Sequence, residues 1–146
     1  MTSTPATPAT PATPAWTSQE LDSIGHAEEL EIASLRRDGE LGSRRTIWVV
    51  RMADGIYVRS VNGPGSDWYR GTRARHEGRV EAGGVEKDVT FEDVTVDADM
   101  NGDVGSGIND AVDAAYRTKY GRYSADTIQR ITSATAGSTT MRLLPR

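Results

Sequence analysis

The first ordered pattern along the chain is helical. Thr17 and Glu20 stand three positions apart in a capping-box sequence, in which each side chain bonds the backbone of the other. Trp16 before the box and Leu21 inside it occupy the two positions of a hydrophobic staple. Ile24 continues the apolar face that Leu21 begins. The pattern predicts a short helix that runs to about residue 27.

After this helix the period changes to that of β-strands, with alternating positions from Leu30 to Leu35 and β-rich runs after them. Two β-rich runs are joined through Asp54-Gly55, which is a strong hairpin signal. Gly83-Gly84 joins two more runs in the same way. The predicted strands cover residues 30–35, 46–52, 56–61, 77–82 and 85–91.

The last third of the chain returns to helical spacing. Ile108, Val112 and Tyr116 lie on one face, and Gly121 ends that helix. A second short helix near residues 124–132 and a strand from Thr139 to Leu144 complete the order of elements.

This order contains no strand–helix–strand alternation, which argues against a parallel nucleotide-binding sheet. The chain instead has a helix, about five strands, two helices and a closing strand. The sequence therefore predicts a mainly β fold with helices (α+β), a small antiparallel barrel with short helices packed over its openings.

A low-complexity segment precedes the patterned part of the chain. Residues 4–15 are four copies of Thr-Pro-Ala, and proline at every third position blocks helix and sheet pairing. No apolar side chain there is larger than that of alanine, so the segment has little surface to bury. We predict a disordered tail over residues 1–15 and one domain over residues 16–146.

Composition argues against several classes of function. A formal net charge of −4 disfavours general nucleic-acid binding, which needs a concentrated basic surface. No apolar run approaches the roughly 20 residues of a membrane span. The absence of cysteine removes disulfides, thiolate metal sites and a cysteine nucleophile, and it agrees with a reducing compartment. We expect a cytoplasmic protein with no nucleic-acid or membrane partner.

An acidic segment from Asp97 to Asp103 matches the first half of an EF-hand calcium loop, with oxygen-bearing side chains at alternate positions. Position twelve, where a bidentate glutamate belongs, is Ile108. The alternative is a hydrated loop in which Asn109 or Asp110 caps the next helix. We assign no metal site, and calcium binding stays an alternative.

Hydrolytic machinery is not visible in the sequence. His26 and His76 are the two histidines, and neither has metal-ligand spacing to the other. No Gly-x-Ser-x-Gly nucleophile motif is present. No catalytic residue is therefore assigned.

A group of cationic and aromatic residues surrounds the turn at residues 62–65. Guanidinium groups bind phosphate oxygens bidentately, and aromatic faces stack on flat rings. The helix before Gly121 repeats this composition with Lys119 and Tyr120. The pattern indicates a ligand site, and the alternative is a set of core aromatics with a solvated rim of arginines. The group comprises Arg59, Trp68, Tyr69, Arg70, Arg73 and Arg75.

Several segments after the tail carry a family resemblance: LEIASLRRDG, TIWVVR, IYVRSVNG with WYRG, GGVEKDVTF, DAAYRTKYG and TTMRLLPR. They resemble an uncharacterised bacterial family, domain of unknown function 2255. That family is similar in fold to the FMN-binding split barrels, which include pyridoxamine-phosphate oxidases and deazaflavin-dependent reductases. Such proteins are typically dimers that hold a flavin-type cofactor near the subunit interface.

The resemblance implies a split barrel that binds FMN or a deazaflavin and forms a homodimer. It is compatible with an oxidoreductase but supplies no reaction by itself. The oxidases' phosphate pattern, a strand arginine followed shortly by lysine, is not intact here. The alternative is a cofactor-free module that binds a small molecule or only dimerises. The implied phosphate ligands are Arg59, Ser60, Arg70 and Lys119, and the implied ring neighbours are Trp68, Tyr69 and Tyr120.

Overall fold

The computed structural model describes residues 16–36, 38–52, 55–94, 104–123 and 125–146, and the side chains of residues 104–108 are outside that description. The Thr-Pro-Ala tail at residues 1–15 and the acidic segment at residues 97–103 therefore lie outside the described residues. Their predicted disorder and the calcium alternative stay predictions.

The first helix, α1 (Ser18–His26), has the predicted capping box. The Thr17 hydroxyl accepts from the Glu20 N–H at 3.1 Å, and the Glu20 carboxylate accepts from the Thr17 N–H at 3.0 Å. Trp16 is buried, and its indole N–H donates to the carbonyl of Leu143 at 2.9 Å. This contact ties the start of the described chain to its last strand.

Seven antiparallel strands form one sheet in the order β2-β1-β5-β6-β7-β4-β3. The two edge strands, β2 and β3, are separated in sequence by only Trp48 and Val49. The chain therefore carries one edge of the sheet to the other and curls it into a split barrel, which confirms the predicted fold class. The strands are β1 (Leu30–Ser34), β2 (Arg45–Ile47), β3 (Val50–Met52), β4 (Gly55–Val58), β5 (Glu77–Ala82), β6 (Val85–Asp93) and β7 (Met141–Pro145).

The prediction of one continuous strand over residues 46–52 is wrong. Its first half pairs with β1 as β2, and its second half forms the predicted hairpin with β4 as β3. Val49 and Val50 are consecutive and both fully buried, in two different apolar clusters. The chain bends here because the barrel closes at this point.

Helices account for most of the rest of the described chain. A 3₁₀ turn (Gly63–Gly65) leads into α2 (Asp67–Arg75), which the sequence did not predict. The remaining helices are α3 (Val104–Tyr120), α4 (Ala125–Ile131) and the unpredicted α5 (Ala134–Gly137). None of the helices in the described ranges combines the length and apolar character that crossing a membrane requires.

Two apolar clusters lie on opposite faces of the sheet. The interior cluster joins the barrel strands to Leu21 and Ile24 of α1 and to Tyr69 of α2. The outer cluster packs Val112, Tyr116 and Tyr120 of α3 and Ile131 of α4 against Val50 and Tyr57. β4 is buried on both faces, since its even and odd residues belong to different clusters. This double burial fixes the end of β4, where the candidate site begins.

Gly78 provides a test of the barrel's packing. A Cβ at this position would lie 2.1 Å from the carbonyl oxygen of Ala33 and 2.9 Å from the ring of Phe91. We expect Gly78→Ala to lower the free energy of unfolding by about 3 kcal/mol, the upper part of the range for overpacking. Urea denaturation measures this loss. Gly65→Ala is the control, since nothing lies within 4 Å of its added Cβ, and a loss equal to that of Gly78→Ala would contradict the packing.

Candidate functional site

A cavity of about 470 Å³ opens beside the end of β4. Four parts of the chain line it: Glu29 just before β1, β2 with the bend that follows, the segment from the end of β4 into α2, and α4. Its volume lies in the range typical of small-molecule sites. Its lining includes Arg45, Trp48, Arg59, Ser60, Ser66, Trp68 and Thr127, together with the acidic residues Glu29 and Asp67.

Paired hydroxyl groups occupy the turn between β4 and α2. The Ser60 hydroxyl donates to the carbonyl of Gly63 at 2.7 Å and lies 2.5 Å from the Ser66 hydroxyl. The Ser60 N–H donates to the hydroxyl of Thr139 at 2.8 Å, which fixes the backbone at this point. Gly63 has a φ of 80°, a left-handed conformation that favours glycine. The turn therefore holds Ser60 and Ser66 together on the cavity wall.

The N-terminus of α2 faces the same cavity through Ser66, Asp67 and Trp68. Ser66 is the N-cap residue, but its side chain makes no capping hydrogen bond. The N–H groups in the first turn of a helix have no intrahelical acceptor, and the helix dipole adds partial positive charge there. The arrangement can accept an oxyanion next to the two hydroxyl groups.

Trp48 supplies a flat aromatic surface to the cavity. Its indole stacks on the ring of Tyr120 with centroids 4.0 Å apart and an interplanar angle of 4°. The Tyr120 hydroxyl accepts from the Val49 N–H at 3.1 Å and donates to the carbonyl of Glu28 at 2.8 Å. Burial raises the pKa of Tyr120 to about 12, so the phenol stays neutral at physiological pH. Tyr120 thus holds Trp48 from behind, in a fixed orientation.

Arg59 lies at the cavity but its guanidinium group is bonded within the chain. Its side chain is fully buried, and Nε donates to the hydroxyl of Thr140 at 2.8 Å. Nη1 donates to the carboxylate of Asp113 and to the carbonyl of Ile131, and Nη2 donates to the carbonyl and side-chain oxygens of Asn109. These acceptors match the five N–H donors of an arginine. In this conformation Arg59 ties the end of β4 to α3, α4 and the start of β7.

Asn109 also differs from its expected role. The prediction that Asn109 or Asp110 caps the following helix is wrong, because α3 already begins at Val104. The Asn109 side chain instead accepts from Arg59 and from the Thr140 hydroxyl, at 3.1 and 2.8 Å.

The structure brings only some of the predicted site residues together. Arg59, Ser60 and Trp68 line the cavity. Tyr69 is buried in the interior cluster, and the side chain of Arg70 is 69% exposed and 3.9 Å from Asp67. Lys119 and Tyr120 lie behind Trp48 and are not part of the lining.

Several lining residues were missed by the sequence reasoning, among them Arg45, Trp48, Ser66 and Thr127. Trp48 sits at the bend between β2 and β3, which looked like continuous strand. Ser66 precedes α2, and its signal was the Ser-Asp pair that typically begins a helix. Thr127 on α4 has no distinguishing local signal. In the part of the chain that is described, no group of three or more metal-binding side chains comes together.

Solved structures with a similar fold share little sequence with this chain. A protein from Listeria innocua, named as a candidate pyridoxamine 5′-phosphate oxidase, is 10% identical with a TM-score of 0.57, and the match covers 88% of this chain and 91% of that one. An F420 reductase is 12% identical with a TM-score of 0.53, covering 86% and 90%. A FAD-binding protein from Mesorhizobium loti is 15% identical with a TM-score of 0.50, covering 92% and 94%. At these identities the likeness shows the fold alone.

Sequence comparison identifies the family. No curated protein sequence matches this chain. The sequence profile of one family, described as an uncharacterised protein conserved in bacteria, matches residues 20–143, which is most of the chain. This protein therefore belongs to the domain of unknown function 2255 family, as its sequence motifs predicted.

Proposed function

We propose that this protein binds a flavin-type cofactor, FMN or a deazaflavin, in the cavity beside β4. The observation that carries the proposal is the combination of an oxyanion-accepting turn at Ser60 and Ser66 with the fixed indole of Trp48 in one cavity. The names of the similar structures, an F420 reductase and a FAD-binding protein among them, support a cofactor of this class.

The polar residues fit the phosphate of such a cofactor. Ser66 offers a hydroxyl group, which lies 2.5 Å from that of the buried Ser60, and the first turn of α2 offers backbone N–H groups. Arg45, on the β2 side of the same cavity, adds a cation that can balance a phosphate's charge. Arg59 acts in this proposal as a positioning residue, because its donors hold the end of β4 in place rather than reaching the phosphate.

The aromatic residues fit a flat ring. Trp48 and Trp68 both line the cavity, and Trp48 is backed on its other face by Tyr120. Offset stacking of aromatic rings contributes about 0.5–1.5 kcal/mol beyond the burial of area. A rigid indole also loses little freedom when a ring stacks on it, which favours binding.

A bound flavin or deazaflavin supplies hydride transfer, so the proposed activity is that of an oxidoreductase. The chain's own part is to hold the phosphate at the start of α2, to orient the ring against Trp48 and to keep water from the covered face. The homodimer implied by the family resemblance is part of the same proposal.

A second candidate function is binding of a small aromatic compound without a flavin. The observation in its favour is that the one fully buried cation at the cavity, Arg59, is already bonded within the chain. Glu29 and Asp67 also place carboxylates in the lining, which reduces the attraction for a phosphate. Tight binding of an uncharged aromatic compound with no binding of FMN would favour this candidate.

Replacing Trp48 tests the proposed ring position. We expect Trp48→Leu to weaken FMN binding by about 1 kcal/mol, or about fivefold in Kd, because the stacking surface is lost. Quenching of flavin fluorescence during titration with protein measures the change. Tyr123→Leu is the matched control, since Tyr123 contacts Trp48 with centroids 5.4 Å apart but does not line the cavity. Equal effects of the two variants would contradict the assignment.

A further inference from the structure

A second groove lies between α3, β3 and the end of α1. It shares no lining residue with the cavity described above. It has a volume of about 690 Å³ and is open to solvent. Its walls are mostly apolar: Ala111, Ala114 and Ala115 of α3 face Val50 and Met52 of β3. Lys119 lies in the same lining, one turn beyond Ala115.

The amine of Lys119 is held by a hydrogen bond to the backbone rather than by an ion pair. Its Nζ donates to the carbonyl of Val49 at 2.8 Å and lies 5.2 Å from the centre of the Tyr120 ring. No carboxylate of the described residues forms an ion pair with it, whereas Lys87, the chain's other lysine, pairs with Glu20 at 2.9 Å. The amine therefore has a fixed direction and no carboxylate of the described residues within ion-pair distance.

The charges around this amine do not cancel the effect of burial on its pKa. His26 and Arg51 line the groove with it, and Arg51 pairs with Asp22 at 2.6 Å. Burial is the main cause that lowers the pKa of Lys119 to about 8, and the attraction of Glu28 opposes it only in part. At pH 8 about half of the Lys119 amines are neutral, whereas an ordinary lysine with a pKa near 10.4 is about 0.4% neutral.

We propose that Lys119 is an acylation site for short-chain acyl thioesters, with the alkyl chain of the donor in the groove lined by Ala111 and Met52. The neutral Nζ attacks the thioester carbonyl, the C–N bond forms and the C–S bond breaks. The thiolate leaves, and the proton released from Nζ passes to it through solvent, so no oxidant or reductant is needed. The amide product keeps one N–H, which is able to donate to the Val49 carbonyl in place of the amine.

The sequence has lysine only at positions 87 and 119, so Lys87 serves as an internal control for Lys119. The full chain is incubated at pH 8 with the acetyl and butyryl thioesters of N-acetylcysteamine, and acylation at each lysine is measured by peptide mass spectrometry. We expect Lys119 to react at least about tenfold faster than Lys87, because about half of the Lys119 amines are neutral at this pH, whereas Lys87 is held in an ion pair with Glu20. The rate at Lys119 should rise with pH to about 8 and then level off.

A comparison of donors with alkyl chains of different length tests the groove separately from the amine. We expect the butyryl donor to be preferred over the acetyl donor by about threefold at Lys119, since two added methylene groups gain apolar contact. Ala111→Phe, at an exposed position two turns before Lys119, should remove this preference and leave the acetyl rate unchanged. Lys119→Arg confirms the assignment of the mass shift. Equal rates at the two lysines, or a butyryl preference that is absent or survives Ala111→Phe, would overturn the proposal.

Discussion

Replacing Arg59 with methionine is expected to lower the free energy of unfolding by about 3–5 kcal/mol, the range for breaking a buried ion pair. The substitution leaves the Asp113 carboxylate, which is only 22% exposed, without its partner. It also removes the donors to the carbonyls of Asn109 and Ile131. Urea denaturation monitored by circular dichroism measures the loss. A loss below about 1 kcal/mol would show that this network contributes little to stability.

A double-mutant cycle separates the ion pair from the packing. If Asp113 is the main partner, Arg59→Met combined with Asp113→Leu should recover a substantial part of the loss, because no unpaired charge remains buried.

The same variants distinguish a positioning role of Arg59 from direct contact between Arg59 and the phosphate. A positioning role predicts that Asp113→Leu, which leaves Arg59 in place but without its carboxylate, weakens FMN binding as well. A direct contact predicts that only the Arg59 substitution does so.

Filling the cavity should have the largest effect on binding. Thr127 lies on α4, lines the cavity and is partly exposed, so Thr127→Trp adds an indole there without disturbing a packed core. We expect FMN binding to weaken at least about a hundredfold, which corresponds to about 2.7 kcal/mol, because the ring and the indole compete for the same volume. Fluorescence titration measures the change in Kd.

Thr118→Trp is the matched control for this substitution. Thr118 also lies exposed on a helix, but it lines the second groove rather than the cavity. The exchange is chemically identical and should leave FMN binding within about twofold of the unmodified protein. If both variants bind FMN normally, the cofactor does not occupy this cavity.

The features that local patterns determine were predicted well. The capping box of Thr17 and Glu20 uses residues three positions apart, and both hydrogen bonds are present. The Gly83-Gly84 turn needs a positive φ at both positions, and both residues have one. The break between β2 and β3 is different, because it follows from barrel closure, which depends on pairs that are distant in sequence, such as β4 with β7. The β-rich composition of TIWVVR is the same for a straight and a bent strand.

The helix α2 and the cavity residues were also difficult to predict from local sequence patterns. α2 buries only Tyr69 and Thr72, so its sequence carries almost no apolar periodicity. Arg59 belongs to the cationic and aromatic group around the turn, and the family resemblance implied Arg59 and Ser60 as phosphate ligands. Whether an arginine faces a ligand or a partner side chain depends on Asp113 and Asn109, which lie 50 or more residues away. Trp48 reaches the cavity only through closure of the barrel.

Binding of a flavin phosphate in the cavity is tested by comparing FMN with riboflavin, which has the same ring but no phosphate. Isothermal titration calorimetry of the full chain, shown to be folded, gives the affinity for each. We expect saturable FMN binding at micromolar concentration and at least about tenfold weaker binding of riboflavin, because hydrogen bonds from the start of α2 to a charged phosphate are lost. Neither FMN nor a phosphate-bearing deazaflavin binding at micromolar concentration, or FMN and riboflavin binding equally, would contradict it.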